Sequence, residues 1–463
     1  MDRRTIVVVV AATLAGCALR LADLTGTSLT HDEAYSLWVV GDVSRVAARL
    51  ATDGHPPLWY AFLAGWTWLF GGGDLAGRLS SVAAGIALVP LTAIAGRRLF
   101  DAATARWAAV LVAVWPMLVI EQRDVRMYAW LPVALVAAIL VEHRARVMGR
   151  RLDRALFGAS LAVLAAIHHF GAVIAAALFA GAAVSSRDRR GLVLSAAVAA
   201  VLYAPVAILL VFLVRTYLAG GSKSIGPGSL LQLVTGLTVG PIERGDPALL
   251  VAGAAFVLAA VAIGLRRAAP HRAVLGVTLL FGTAVPVVLA AWVFAFPPAP
   301  RYFTGVTPIL ALAAARFAAT ARAPAAHAHA LAVVAVLVAG SVATLTSNAA
   351  VAADWRGLAA TVARESRGES IVYVAPAYFL LAYERYSTGG QLRSVPDVAA
   401  APPEFPRPTT AELRIAVDAP EAHWLLIADW LLAEEPEIAA TLDARAVEVP
   451  TGWWMRAFRV PAR

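Results

Sequence analysis

Two adjacent carboxylates, Asp32 and Glu33, follow the first hydrophobic run of the chain, and a His-Pro-Pro motif begins at His55. Burying an unpaired charge in hydrocarbon costs several kcal/mol, so a carboxylate pair beside a membrane must stay solvated, pair with a cation or hold a polar ligand. A positioned carboxylate also serves as a general base that takes the proton of a hydroxyl group. The pair therefore marks a candidate site, and a solvated loop is the alternative.

A second group with chemical potential is formed by arginines beside the ends of apolar runs, namely Arg123, Arg126 and Arg301. Guanidinium groups bind phosphate oxygens in a bidentate manner, so these arginines indicate a bound phosphate. The alternative is that each one snorkels to the membrane surface or pairs locally, for instance with Glu121 or Asp124.

Adjacent histidines at His168 and His169 suggest half of a metal site. Neighbouring side chains on a helix diverge by roughly 100°, so we expect one histidine to contact a phosphate or hydroxyl rather than both to bind one ion. The single cysteine, Cys17, excludes an intramolecular disulfide and a thiolate metal site. No HExxH, P-loop or GxSxG motif occurs, which removes the usual signatures of metalloproteases, ATP hydrolysis and serine hydrolases.

The composition defines the elements that must position these residues. The 463 residues are 60% hydrophobic and 15% charged, with a mean hydropathy of +0.72, which excludes a soluble globular protein and indicates a polytopic membrane protein. The net charge of +9 resides mainly in arginine clusters between apolar runs, the pattern that orients membrane helices, so no nucleic-acid partner is expected. The apolar N-terminus predicts a retained anchor rather than a cleaved signal peptide.

A membrane span needs about 20 apolar residues, and arginine-rich loops are expected on the cytoplasmic side. This gives about eleven spans, beginning with 5–22, 79–95 and 105–120 and ending with 330–345, with Arg20 expected to snorkel from the first. The aromatic-rich segment 58–73 is predicted to be an interfacial helix on the outer face, because a crossing there would invert the later basic loops.

The segment from residue 347 onward has shorter apolar periods than the spans. It predicts helices over 354–364 and 378–386 and strands over 370–375, 424–428 and 453–460, with a proline-rich link at 396–408. About 115 residues suffice for a small α/β domain. The expected fold class is therefore a membrane all-α domain with outer interfacial helices, residues 1–346, plus an extracytoplasmic C-terminal α/β domain, residues 347–463.

This topology gathers an unusual polar set at the outer ends of the helices. The set consists of Asp32, Glu33, His55, Arg78, Glu121, Arg123, Arg126, Tyr128, His168, His169, Arg301 and Tyr302. The segments that carry these residues, 32–34, 55–60, 77–80, 122–128, 168–170 and 300–302, resemble in order and spacing the GT-C membrane glycosyltransferases. Within that class they are similar to the branch of the protein O-mannosyltransferases and the lipid A aminoarabinose transferases. The resemblance covers residues from about 27 to 308.

The resemblance implies an inverting transfer of a sugar from a polyprenyl-phosphate donor to an extracytoplasmic hydroxyl. It implies that Asp32 is the catalytic carboxylate, with Glu33 beside it, and such a base deprotonates the attacking hydroxyl. Arg126 and Arg301 are then the main ligands of the donor phosphate, supported by Arg123, Tyr128, Tyr302, His168 and His169. His55, Arg78 and Glu121 are expected to position the substrate. No nucleotide is needed, and a divalent metal ion held by His55, Glu33 and one of the paired histidines stays an open alternative.

The acceptor class is left open among a cell-envelope glycan, a glycolipid and a protein, and the composition is typical of a bacterial plasma-membrane protein. Three other functions are consistent with such a chain. A transporter or flippase of lipid-linked sugars would show ionisable groups near the bilayer midplane and repeated halves. A lipid-linked glycan polymerase or ligase would share the outer arginines but not the other motifs, and a non-enzymatic assembly subunit would tolerate loss of Asp32.

Overall fold

A computed structural model describes residues 1–50, 55–217, 227–240, 246–292, 299–351, 354–366, 371–395, 408–451 and 453–462. The chain divides into two units, which we call the membrane unit, Met1–Leu24 with Gly54–Ser347, and the second unit, Thr25–Asp53 with Asn348–Arg463. The predicted domain boundary lies next to this division, and the segment that carries Asp32 and Glu33 packs with the C-terminal residues.

All the regular secondary structure described in the membrane unit is helical. Its helices are α1 (Arg3–Leu21), α4 (Leu58–Phe70), α5 (Asp74–Leu99), α6 (Ala102–Ala113), α7 (Pro116–Glu121), α8 (Leu131–Met148), α9 (Arg151–Ile167), α10 (His169–Ser185), α11 (Arg189–Tyr217), α12 (Pro227–Thr238), α13 (Pro247–Arg266), α14 (Arg272–Trp292), α15 (Thr307–Ala319) and α16 (Pro324–Val351). Aspartates cap several of them; Asp2, for example, accepts a hydrogen bond of 2.8 Å from the Thr5 amide at the start of α1.

Six of the described helices are long and apolar enough to cross a bilayer, namely α1, α5, α11, α13, α16 and α15 with the short 3₁₀ segment that precedes it. Helices α6, α10 and α14 contribute shorter apolar stretches. Each predicted span coincides with a helix or a pair of helices, and the number of eleven crossings stays a prediction. Helix α4 has 13 residues, which corresponds to about 20 Å, less than the roughly 30 Å of a bilayer core.

The third predicted span, 105–120, is wrong as one continuous helix. The structure ends α6 at Ala113 and starts α7 at Pro116. Proline lacks an amide hydrogen and forces the residue before it, Trp115, into extended backbone, so the helix is interrupted there.

Polar contacts join the basic loops of the membrane unit at one end of its helices. Arg316 at the end of α15 pairs with Asp101 before α6 at 2.5 Å. Arg146 near the end of α8 contacts His271 before α14 at 2.6 Å, and Arg154 on α9 pairs with Asp188 before α11 at 3.1 Å. The rule of cytoplasmic arginine-rich loops assigns these loops to one side of the membrane, and in the structure they contact one another in pairs.

The second unit combines a mixed sheet with short helices. Its elements are α2 (His31–Val40), α3 (Val46–Leu50), α17 (Trp355–Glu365), β1 (Ile371–Ala375), α18 (Leu380–Glu384), β2 (Gln391–Ser394), α19 (Thr410–Val417), β3 (His423–Ala428), α20 (Asp429–Ala433), α21 (Pro436–Arg445), β4 (Val447–Val449) and β5 (Met455–Val460). The strand order is β2-β1-β3-β5-β4, with β1 parallel to β2 and β3, and β5 antiparallel to β3 and β4.

The core of the second unit lies where helices cover this sheet. Helix α17 buries Trp355, Leu358 and Val362, which recur with helical spacing, and β3 is buried along its whole length. The small α/β domain expected from the sequence is therefore present. The predicted proline-rich link lies outside the described residues except for Pro408.

Candidate functional site

Asp32 and Glu33 lie in the first turn of α2, where Thr30 begins the helix with a capping box. The Glu33 amide donates to the Thr30 hydroxyl at 3.3 Å, and Glu33 Oε2 accepts from the Thr30 amide at 2.9 Å. Glu33 is fully buried, whereas 23% of the Asp32 side chain is exposed. The structure therefore gives the Glu33 carboxylate a role as a helix cap and leaves Asp32 partly accessible to solvent.

The loop before α2 is held by the C-terminal residues of the same unit. The Leu29 amide donates to the Tyr386 hydroxyl at 2.8 Å, and the Arg356 amide donates to the Ser28 hydroxyl at 3.0 Å. These two bonds hold Ser28 and Leu29 in place just before the helix that carries Asp32.

In the membrane unit, four distant segments bring together a group that we call the cation–aromatic cluster. Its members are His55, Arg126, Tyr128, His168, His169, Arg301 and Tyr302. They come from the residue group before α4, the link between α7 and α8, the junction of α9 and α10, and the 3₁₀ segment Pro300–Val306 before α15.

Tyr128 lies at the centre of this cluster. Its ring centroid is 5.1 Å from that of His168 and 6.0 Å from that of Tyr302. The guanidinium carbons of Arg126 and Arg301 lie 6.0 and 5.9 Å from the same centroid. Two permanent positive charges therefore lie beside one aromatic ring, an arrangement suited to an anion that carries hydroxyl groups.

The histidines of the cluster are positioned by a break between two helices. His168 has extended backbone between α9 and α10, and its Nδ1 accepts the Phe170 amide at 3.1 Å. The His55 ring lies 5.5 Å from that of His168 and 5.6 Å from that of His169. Since Nδ1 of His168 is an acceptor, Nε2 carries the hydrogen in the neutral ring and is the donor available to a ligand.

Arg123 and Arg78 make contacts of a different kind. Arg123 donates to the carbonyl groups of Leu19, Arg20 and Ala22 at 3.1, 3.1 and 2.6 Å, which are orphan acceptors at the end of α1. Arg78 donates to the Leu24 carbonyl at 2.7 Å. Both guanidinium groups thus hold the chain just before it enters the second unit. Their predicted roles in phosphate binding and substrate positioning stay predictions.

Arg20 corrects the sequence analysis, which expected its side chain to snorkel. The side chain is completely buried; Nε donates to Gln122 Oε1 at 2.8 Å, and Nη1 donates to the carbonyl groups of Gly16 and Ala113 at 2.9 Å each. A Cβ atom on Gly85 would overlap this guanidinium, so glycine provides the space that it occupies. Arg20 fixes the segment that leads to Arg126, and the glutamine at position 122 was the available signal for it.

Glu121 ends α7 and is buried, with 8% exposed. In the part of the chain that the structure describes, no three His, Cys, Asp or Glu side chains are grouped so as to hold a metal ion. Glu33, one of the ligands considered for such a site, takes part in the capping box at the start of α2.

An apolar cavity of about 590 Å³ lies between the end of α12 and helices α13 and α16. It is lined chiefly by Val239, Leu249, Gly253, Phe256, Val336 and Gly340. One turn before Val239, Gly236 packs so closely on Pro300 that a Cβ atom there would lie 2.6 Å from the proline ring. Helix α12 therefore borders both this cavity and the segment that carries Arg301.

No protein-family model matches the chain, and neither does any curated protein. Among solved structures, the chain is similar to ArnT from Cupriavidus metallidurans in the apo state, with 16% identity, a TM-score of 0.66, and 98% of this chain and 97% of that chain covered. For the same protein bound to undecaprenyl phosphate, the identity is 16% and the TM-score 0.62, with 99% of this chain and 98% of that chain covered. The chain is also similar to oligosaccharyltransferase AglB from Archaeoglobus fulgidus in complex with an inhibitory peptide and a dolichol-phosphate. Here the identity is 12% and the TM-score 0.56, with 100% of this chain and 74% of that chain covered.

These similarities extend over nearly the whole chain and both of its units. Together with the apolar helices, they identify a membrane protein. The chain has the fold of the GT-C membrane glycosyltransferases.

Proposed function

We propose that this protein is an inverting glycosyltransferase that moves a sugar from a polyprenyl-phosphate donor to a hydroxyl group of an extracytoplasmic acceptor. The cation–aromatic cluster is the observation that carries this proposal, because it combines two guanidinium groups with tyrosine and histidine rings at one end of the helices. The basic loops at the other end support a cytoplasmic assignment for that end.

Arg126 and Arg301 are proposed to bind the donor phosphate. When the bond between the anomeric carbon and the phosphate oxygen breaks, negative charge develops on that oxygen, and two fixed positive charges stabilise it. Tyr128, Tyr302, His168 and His169 add hydroxyl and imidazole groups beside the same position. Two of the structurally similar proteins were solved with a polyprenyl phosphate bound, namely undecaprenyl phosphate and a dolichol-phosphate, which supports this choice of donor.

The lipid part of the donor needs an apolar surface next to the phosphate site. The cavity between α12, α13 and α16 supplies one, and α12 also packs on the segment that carries Arg301. We assign this cavity to a part of the polyprenyl chain, whose burial there removes apolar surface from contact with solvent and headgroups.

Asp32 is proposed to be the general base. It takes the proton of the acceptor hydroxyl while that oxygen attacks the anomeric carbon from the face opposite the phosphate, and the polyprenyl phosphate leaves with the electron pair of the broken bond. Glu33, which the sequence analysis placed beside it in catalysis, is left with the helix-capping role that its hydrogen bonds indicate. The sugar and the acceptor class, whether glycan, glycolipid or protein, stay open in this proposal.

The proposal is tested with purified protein in detergent and a panel of polyprenyl-phosphate sugars that carry radiolabelled mannose, arabinose, galactose or aminoarabinose. We expect one donor to release free polyprenyl phosphate and to label an acceptor in an envelope extract, and parallel reactions with a chelator report metal dependence. The Asp32→Asn protein is the control for background hydrolysis. Movement of intact donor across proteoliposome membranes without any release would instead identify a transporter.

A further inference from the structure

We propose that His31 is a positioning residue for Asp32, which it holds in place and from which it carries the proton to solvent after each transfer. This inference rests on the proposed function and deepens it, because it specifies how the general base is restored. It concerns only residues of the second unit.

The geometry places an imidazole beside the base. Nε2 of His31 lies 3.6 Å from Oδ1 of Asp32, and 42% of the His31 side chain is exposed against 23% of the Asp32 side chain. The histidine is thus the more accessible member of the pair. A proton on Asp32 therefore has a neighbouring acceptor that reaches bulk water.

Aromatic residues fix the orientation of the His31 ring. Its centroid lies 5.4 Å from that of Tyr378 and 5.5 Å from that of Phe379, and the Phe379 ring is perpendicular to it. Phe379 is itself buried in the core of the second unit. A histidine that merely occupied a solvated loop would not need two rings from the C-terminal residues.

The position of this contact within the sheet is informative. Tyr378 and Phe379 come just after the end of β1. In the sheet, the parallel strands β2 and β3 lie on opposite sides of β1, so the strand order reverses there. Open sheets of this kind bind ligands at the carboxyl ends of the strands where the strand order reverses. His31 therefore packs against residues at the carboxyl end of β1, the edge of the sheet where a ligand is expected.

The proton transfer balances without any further reactant. The acceptor hydroxyl gives its proton to Asp32, the protonated carboxyl gives it to Nε2 of neutral His31, and the imidazolium releases it to water, so both residues return to their starting states. The ionisable groups around this path include Asp32 and Tyr378. Arg356 and Tyr386 add two more, on the segments that bond the loop before α2.

Three substitutions separate holding from proton transport. His31→Phe keeps a ring against Phe379 but loses both functions, and we expect kcat to fall about 100-fold while KM for the donor changes less than about twofold. His31→Gln retains an amide donor for the carboxylate but does not titrate, so it recovers only part of the loss. In His31→Ala, free imidazole in the buffer at pH 7.5 raises kcat. His327→Gln, an exposed histidine on α16, is the matched control and keeps wild-type turnover.

A measurement without turnover keeps this inference separate from the proposed function. With ¹³C-labelled histidine in the full-length protein, the His31 resonance is titrated in the wild type and in Asp32→Asn, because a neighbouring carboxylate stabilises the imidazolium. We expect the substitution to lower the pKa of His31 by about half a pH unit or more. An unchanged pKa overturns the pairing whether or not any donor reacts. Wild-type turnover in His31→Phe, or a loss that imidazole does not reverse in His31→Ala, overturns proton transport while transfer by the wild type leaves the proposed function intact.

Discussion

The cation–aromatic cluster and the surroundings of Asp32 differ in the charges that they present and in their access to solvent. In the membrane unit, Arg126 and Arg301 are gathered from segments more than 170 residues apart and flank an aromatic ring. In the second unit, Asp32 lies in the first turn of a helix of 10 residues, next to a partly exposed histidine. The first arrangement suits a bound anion and the second suits proton exchange with water. The difference suggests that donor binding and proton removal are separate tasks of separate units, and that each is open to damage without the other.

The strongest test of this division is Asp32→Asn. Removing a general base lowers turnover by about 10³-fold, whereas the phosphate ligands are untouched, so donor affinity is expected to change less than about twofold. Release of polyprenyl phosphate gives the rate, and titration of the purified protein with donor gives the affinity. Asp42→Asn, another aspartate of the second unit that bonds Ser44 locally, is the matched control. Near-normal turnover in Asp32→Asn would mean that another residue is the base.

The converse test is Arg301→Ala, which is expected to weaken donor binding about 10- to 100-fold. A hydrogen bond to a charged group contributes about 1.5–3 kcal/mol, and the loss is felt in the ground state as well as in the transition state. Arg301→Lys restores the charge but not the bidentate geometry, so its affinity lies between the two. Arg322→Ala removes an exposed arginine after α15 and serves as the control. Unchanged donor affinity in Arg301→Ala would remove the cluster from the phosphate site.

Sequence reasoning recovers what depends on local patterns. Apolar runs between arginine clusters yield helices throughout the membrane unit, and helix ends on one side bring Tyr128, His168 and Tyr302 together. The short apolar segments predicted as strands over 370–375 and 424–428 similarly correspond to the central strands β1 and β3. Strands β2 and β4, of 4 and 3 residues, carry too little pattern to be recognised.

What sequence reasoning misses is the choice of partner by a polar side chain. Arg20 is buried because Gln122, about a hundred residues away, accepts its hydrogen bond and Gly85 provides room. Arg123 has the same motif neighbours as Arg126, yet it caps the end of α1. The Glu33 capping box does have a local sequence signal, since Thr30 and Glu33 have the Thr-x-x-Glu spacing.

Arg123 and Arg126 lie in one segment, and their replacement separates a structural arginine from a proposed phosphate ligand. Arg123→Ala leaves the carbonyl groups at the end of α1 without their donor, so we expect a loss of stability of about 1–2 kcal/mol and little change in donor affinity. Arg126→Ala is expected to weaken donor binding about tenfold or more with a smaller effect on thermal unfolding. Unfolding and donor titration of both proteins in the same detergent decide the matter. If both variants lose donor affinity equally, the phosphate site includes Arg123 as the sequence analysis predicted.

Substitutions of Glu33 test whether this carboxylate caps α2 or takes part in catalysis beside Asp32. Glutamine also satisfies a capping box, so Glu33→Gln is expected to keep turnover within about threefold, whereas Glu33→Ala lowers the stability of α2 by about 1 kcal/mol. Hydrogen exchange of the α2 amides and the rate of polyprenyl phosphate release are measured on both variants. A loss of turnover in Glu33→Gln as large as that in Asp32→Asn would return Glu33 to the catalytic role that the sequence analysis gave it.

The smallest expected effect concerns acid sensitivity of the second unit, which must be separated from acid sensitivity of the reaction. Burial lowers the pKa of His423, whose Nδ1 lies 2.8 Å from the Glu421 carbonyl. A histidine with a depressed pKa stabilises the fold fully above its ordinary pKa of about 6.5, and this stability declines as pH falls toward the folded value, by at most about 1.4 kcal/mol per pH unit.

His423→Gln is therefore expected to flatten the pH dependence of β3 hydrogen exchange between pH 7.5 and 5.5, with His327→Gln as the control. If kcat falls at acid pH, and this fall persists in His423→Gln but shifts in pH in His31→Gln, it belongs to the pair at Asp32 and not to unfolding. If His423→Gln abolishes the fall of kcat at acid pH, that fall is a property of the fold, and proton removal is not the pH-dependent step.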